Sequence, residues 1–200
     1  MFEKYIEREN TIFQILQAFV DADLDFVVVG GYAVSAYKHR FSTDVDVVIK
    51  EEHKERFEEI LRKNGFVKTI VKELDHLYAP EFMRYECKTK LPVSVDLLIG
   101  GIGSRTTDAS FSMEQLKAYA EKKKIIGTEK EVIVQIPKRE ILIVLKLHSG
   151  RLTDFRDIAA LAKNLDLDII EGMLWRGITN LVKENIEKLI ALLDKREFMD

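Results

Sequence analysis

The chain has 200 residues, enough for one hydrophobic core with at most a small appendage. Hydrophobic residues make up 46% of it and charged residues 32%, which excludes wholesale disorder and predicts a substantial core beneath a well-solvated surface. With 34 acidic against 31 basic residues the formal charge is -3, so no global field draws the protein to a polyanion and only a local basic pocket can do so.

In chain order, Ile12, Ile15, Leu16, Phe19 and Val20 recur at helical spacing and predict a helix over 3–20. The run Asp25-Phe26-Val27-Val28-Val29 predicts a short central strand entering a tight turn at Gly30-Gly31, then a short helix from Tyr32 to Tyr37. Val45, Val47, Val48 and Ile49 form a second strand, and a charged helix carrying Phe57, Ile60 and Leu61 stops at Asn64-Gly65. Phe66 to Val71 reads as a third strand, with strands or loops around His76–Tyr78 and Phe82–Glu86. Val93 to Leu98 is a further strand, closed by Gly100-Gly101. Ser112 caps a helix starting near Met113, the lysines at 122–124 read as a solvated helix end with RNA contact as the lesser reading, and Glu129 to Pro137 is a strand or extended link. Helices are expected over 139–148, 154–164, 168–175 and 178–193. The fold class is therefore mixed α/β (α+β): a body over 1–136 and a helical portion over 137–200 packed on it, with Pro137 at the seam. No apolar run is long enough to span a bilayer and the opening MFEKYIEREN lacks the segments of a secretory signal, so a cytoplasmic protein without a membrane partner is expected. The single cysteine, Cys87, is compatible with a reducing compartment.

Three motifs carry chemistry. In a strand, residues two apart share a face, so Asp44 and Asp46 project together while Val45 and Val47 enter the opposite side. Adjacent carboxylates repel unless a cation lies between them. Asp96, in VSVDLL, is costly inside an apolar core but reasonable at the exposed end of a sheet. Three carboxylates converging from neighbouring strands suit Mg²⁺, with two ions during catalysis and Mn²⁺ as the alternative. A D-x-D pair or a Gly-Gly turn is commonplace alone; their joint order, each attached to a strand, is what points to a metal and phosphate site. Histidines 39, 53, 76 and 148 lack zinc spacing. Lys146 falls within the apolar helix ILIVLKLHSG, where burial without an anion is expensive, and with Arg151 and Arg156 it forms a positive rim for triphosphate or acceptor.

The stretch VVVGGYAVSAYKHRFSTDVDVVI followed by VSVDLLI resembles the polymerase-β-type nucleotidyltransferase superfamily, particularly the AbiEii-like toxins and other minimal nucleotidyltransferases. The resemblance covers Asp25 to Leu98, and IPKREILIVLKLHSGRLTDFRDIAAL is similar to the helical continuation of that branch. It implies a twisted mixed sheet flanked by helices, an ATP or other nucleoside triphosphate as substrate, a phosphate turn at Gly30 and Gly31, and metal-holding catalytic acids at Asp44, Asp46 and Asp96. Ser42 and Arg40 lie close enough in sequence to meet phosphate, as do Lys146 and Arg151 farther on, and Asp157 is expected to orient Lys146 or Arg151 through an ion pair. Many members of the superfamily have serine as the second turn residue; this chain has Gly31. The implied reaction is transfer of a nucleoside monophosphate to an acceptor hydroxyl of RNA (a tRNA end), protein or a small molecule. A toxin–antitoxin or defence setting would add an antitoxin as partner. The alternative reading is a non-catalytic nucleotide-sensing or protein-interaction domain on the same architecture.

Overall fold

A computed structural model describes residues 3–194, so residues 1–2 and 195–200 of the two expected portions lie outside it. The elements are α1 (Glu3–Asp21), β1 (Phe26–Val29), α2 (Gly30–Ser35), β2 (Asp44–Ile49), α3 (Lys54–Lys63), β3 (Val67–Glu73), β4 (Glu81–Cys87), β5 (Val93–Ile99), β6 (Gly101–Gly103), β7 (Ser110–Ser112), α4 (Met113–Ala118), β8 (Ala120–Ile126), β9 (Glu131–Pro137), α5 (Arg139–Ser149), α6 (Leu152–Leu161), α7 (Leu167–Leu174) and α8 (Thr179–Asp194).

Five strands form a mixed sheet in the order β1-β2-β5-β4-β3. The β-branched runs of β1, β2 and β5 occupy its middle and one edge, where Val28, Val47 and Val95 are fully buried. β1 runs antiparallel to β2, β2 parallel to β5, and β5 antiparallel to β4, which in turn pairs with β3. Helices α1 and α3 cover one face, packing Phe19 of α1 edge-on against Phe57 of α3 and Phe26 of β1. Period-two alternation turns the neighbours of these residues to the opposite face, which carries the acids.

Two segments read differently in the structure. Phe82–Glu86 belongs to a full strand, β4, hydrogen-bonded on both sides. The lysines at 122–124 are not a helix end: they lie in β8, which forms a two-stranded hairpin with β9. Their long charged side chains alternate with little apolar signal, so the sequence hid a strand that the β-rich partner Glu131–Pro137 supports. The hairpin leads at Pro137 directly into α5, and one apolar cluster runs from Ile12 and Phe19 through Val134 and Ile136 to Ile141, Val144 and Phe155. The helical portion, α5–α8, therefore shares its core with the sheet. Among the described residues no helix is long and apolar enough to cross a membrane.

Helix α4 has only six residues and depends on its start: the Ser112 hydroxyl accepts from the Gln115 N–H while the Gln115 side chain accepts from the Ser112 N–H. Ser112→Ala is expected to cost about 0.5–2 kcal/mol in urea unfolding, the range for losing such a cap; an unchanged midpoint would show that tertiary packing alone holds α4.

Candidate functional site

The register of the sheet builds the site. Val29, the last residue of β1, pairs with Asp46; Asp46 pairs with Asp96 across the parallel strands; and Asp96 pairs with Arg84 on β4. These positions form one transverse row, and Asp44, two residues before Asp46, shares the acid-bearing face. Because β1 ends at this row, the glycine turn begins beside Asp46. Gly30 has φ +66, and a Cβ there would lie 1.9 Å from Asp46 Oδ2. Only glycine meets both demands.

Asp44, Asp46 and Asp96 thus share one face, next to Gly30, as the strand periodicity predicts. They are not a ready three-carboxylate cage: no group of three or more His, Cys, Asp or Glu among the described residues is arranged to hold a metal ion. Arg84 stands among them. Its Nε donates to Asp96 Oδ1 at 2.7 Å and its Nη2 to Asp96 Oδ2 at 2.6 Å, with a longer 3.4 Å contact to Asp44 Oδ2. Both oxygens of Asp96 are engaged by one guanidinium. Sequence reasoning passed over Arg84; its place between Met83 and Tyr85 in EFMRYEC marks it as facing away from the core, but only the register reveals that it meets Asp96.

Asp46 is pushed from 3.8 to about 7 by burial first, then by the charges of Asp44 and Asp96, with Lys146 and Arg151 opposing. A carboxyl that resists losing its proton for want of positive charge is chemically suited to a divalent cation, and Asp46, with Asp44 two residues before it on the same face, fits. Asp96, also raised by burial despite Arg84, does not fit as a further ligand while its oxygens are engaged.

A cleft of about 510 Å³ opens beside Gly30 and Asp46 and is closed on its other side by Lys146, Arg151 and Asp154, with Phe111 and Leu142 in its apolar wall. Lys146 is 7% exposed, and its ammonium lies 2.9 Å from Asp154 Oδ1 and 2.8 Å from Asp157 Oδ2. Asp157 also pairs with Arg40. Arg151 pairs with Asp154 at 2.8 Å and not with Asp157. Asp154, fully buried and unremarked in the sequence, accepts from the Arg151 N–H at the start of α6, from the Arg151 guanidinium and from Lys146. Burial opposes its ionisation, but the hydrogen bond from Arg151 and the charge of Lys146 outweigh it and hold the carboxyl at about 2. The sequence signal available was an acid in the first turn of the helix that follows Lys146. Arg40, Asp157, Lys146, Asp154 and Arg151 thus form one alternating series of charges linking the α2–β2 loop to α5 and α6. Arg156 is exposed and lines a different depression with Lys38 and Arg40.

Gly31 is buried, and a Cβ there would lie 2.5 Å from Ser42 Oγ. The Ser42 hydroxyl fills the space that a side chain at 31 would need, 3.4 Å from Asp44 Oδ1.

Residues 11–132 match the family described as Aminoglycoside-2''-adenylyltransferase, a span holding the glycine turn, Arg84 and all three acids but not Lys146 or Arg151. Among solved structures, the chain is similar to the lincosamide antibiotic adenylyltransferase LnuA in its lincomycin-bound crystal structure, at 17% identity and TM-score 0.54, over 78% of this chain and 98% of that one. It is similar to the antibiotic-resistance factor ANT(2'')-Ia at 16% identity and TM-score 0.55, over 96% and 97% of the two chains. JHP933 from Helicobacter pylori gives 20% identity and TM-score 0.52, over 84% of this chain and 71% of that one. At these identities the likeness concerns the fold. No curated protein sequence matches the chain. The matches support polymerase-β-like nucleotidyltransferase membership; they do not name the narrower AbiEii-like branch.

The raised proton affinity of Asp46 has a sign that can be measured. The folded, metal-free protein keeps a proton on Asp46 where the unfolded chain, at 3.8, has lost it, so this contribution to stability is full at low pH and declines as pH rises from 3.8 through about 7. Thermal melts in chelator should show the wild type losing stability relative to Asp46→Asn across that window. A difference that stays constant with pH would contradict the raised value.

Proposed function

The chain belongs to the aminoglycoside-2''-adenylyltransferase family, and from that premise we propose that it transfers a nucleoside monophosphate, AMP from ATP, to a hydroxyl of a small molecule. The observation that carries this reading is the pairing of acids and cations across one cleft: Asp46 beside the Gly30 turn on one wall, Lys146 and Arg151 on the other. That is the charge pattern a metal-associated triphosphate requires, with like charge of each sign held apart.

The reaction is attack of the acceptor oxygen on the α-phosphorus, with pyrophosphate as leaving group and the hydroxyl proton released to water. The Lys146 ammonium donates to Asp154 and is ion-paired with Asp157, and it lines the cleft, where it would donate to a phosphate oxygen. Arg151 is exposed at the rim and, fixed by Asp154, is placed to take the outer phosphates. Ser42 supplies, beside Gly31, the hydroxyl that many superfamily members carry on the turn itself. Asp157 and Arg40 act through Lys146 as positioning residues. Asp44 and Asp46 would hold a divalent ion, Mg²⁺ or Mn²⁺, which when bound supplies positive charge against the charge developing on the transferring phosphoryl group. Asp96 stands one strand further from Lys146 and Arg151 and is held by Arg84. Preorganised charge of this kind, more than covalent chemistry, is what accelerates phosphoryl transfer.

A second reading keeps the chemistry and changes the acceptor: a tRNA end or a protein hydroxyl, in a toxin–antitoxin system of the AbiEii-like kind. The support for it lies outside the family match, in the buried series Lys146, Asp154 and Asp157 from the segment IPKREILIVLKLHSGRLTDFRDIAAL. The net charge of -3 favours the small molecule, since a large RNA footprint calls for a basic face.

Incubation with each α-labelled nucleoside triphosphate and a lysate separated into RNA, protein and metabolite fractions tests both. Label from ATP in the metabolite fraction is expected; label retained on RNA or protein would move the assignment to the second reading, and no transfer to any fraction would reject both. Asp46→Asn should lower turnover by at least about 100-fold, the scale of losing a preorganised electrostatic element, with circular dichroism and melting intact. Near wild-type turnover in the folded variant would remove Asp46 from the site.

A further inference from the structure

We propose that Arg84 is a built-in counter-cation that occupies the space between Asp44 and Asp96, so that a metal ion can be shared with Asp96 only when the guanidinium is displaced. The inference rests on the nucleotidyltransferase reading above and adds to it a residue and an order of assembly.

The geometry is specific. Arg84 pairs with Asp96 across β4 and β5, so its side chain rises on the same face as the acids. The fork of Nε and Nη2 meets both oxygens of Asp96, at 2.7 and 2.6 Å, and Nη2 also faces Asp44 Oδ2 at 3.4 Å. A bidentate guanidinium–carboxylate pair is the strongest common form of charge-assisted hydrogen bond. Asp96 is only 3% exposed, so water is a poor substitute partner. The contact to Asp44 is long and leaves Asp46 facing the cleft, so a cation held by Asp44 and Asp46 need not move Arg84, whereas one ligated by Asp96 must break at least one of its two short bonds. The guanidinium carbon lies over the half-buried Phe82 ring, 6.0 Å from its centroid, on the same face of β4.

An ordinary structural ion pair would use the same two residues without the third contact. What separates the two roles is competition with metal. A structural pair is indifferent to metal; a counter-cation competes with it. The full chain, stripped of metal by chelator, is titrated with Mn²⁺ and the free ion followed by electron paramagnetic resonance. Wild type is expected to bind one ion, dependent on Asp46. Arg84→Met should bind a second ion, or the first at least about tenfold more tightly, the equivalent of one charge-assisted hydrogen bond no longer broken; Arg84→Lys should fall between. Adding Asp96→Asn to Arg84→Met should abolish the gain. Mn²⁺ should also raise the melting temperature of Arg84→Met more than that of wild type, by linkage. Equal affinity and stoichiometry in wild type and Arg84→Met, with binding lost in Asp46→Asn, would overturn the role of Arg84 and leave the metal-pair reading standing. Absence of Mn²⁺ binding in every protein would overturn both. If Arg84→Met fails to fold without metal, recovery of the fold on adding Mn²⁺ supports the proposal, and the Arg84→Lys titration decides it when no recovery occurs.

Discussion

The parallel, in-register pairing of β2 with β5 is the constraint on which the site depends. It sets Asp46 and Asp96 side by side, adds Asp44 on the same face, and places all three where the sheet is partly closed from water. Like charges so arranged must be offset, and the chain supplies cations from two flanks. Arg84 offsets Asp96 from β4, and Lys146 and Arg151 face Asp46 across the cleft. The compensation is uneven. Asp154 is held at about 2 by its two cations, whereas Asp46, under burial and two neighbouring carboxylates, is raised to about 7. The carboxylate left short of positive charge is the one beside the Gly30-Gly31 turn, where an incoming cation would be most stabilised.

Much of this was legible in the residues because it is local. Alternation in DVDVVI and VSVDLL fixed which residues share a face, and Val29-Gly30-Gly31 marked the end of a strand. The pairing of strands was not legible. Nothing within EFMRYEC says that Arg84 will lie opposite Asp96 and not one residue away, and a one-residue slip would have turned it to the core. The hairpin β8–β9 was obscured for a different reason: AEKKKII has too few apolar residues to show a period, since only Ile125 of its outward-leaning run is fully buried. The family match and the solved relatives support the fold, but neither reports these register details.

The series Arg40, Asp157, Lys146, Asp154 and Arg151 shows why the helical portion cannot be treated as an appendage. Lys146 in an apolar helix raised the question of its partner; the answer comes from two acids on the next helix and, through Asp157, an arginine on the α2–β2 loop. Each buried charge of the series has two partners, so removing one member leaves its buried neighbour with a single partner against the same cost of burial. The same contacts that aim Lys146 at the cleft therefore bind α5 and α6 to the loop that precedes Asp44. Stability and positioning are carried by one set of bonds, and a change at Asp157, which stands behind Lys146, is felt at both.

Gly31 and Ser42 extend this point from charge to shape. By sequence position, the turn lacks the serine that many superfamily members carry, and the departure reads as a loss. In space the hydroxyl is present: Ser42 Oγ fills the volume that a side chain at 31 would take, and it is 8% exposed, held between the turn and Asp44. A serine at 31 would meet Ser42 at 2.5 Å, so the two arrangements exclude each other unless Ser42 turns away. The glycine is then a requirement of the serine eleven residues later. Because β2 begins two residues after Ser42, the hydroxyl is anchored to the strand that carries Asp44 and Asp46 instead of to the turn, and hydroxyl and carboxylates are positioned by one rigid element.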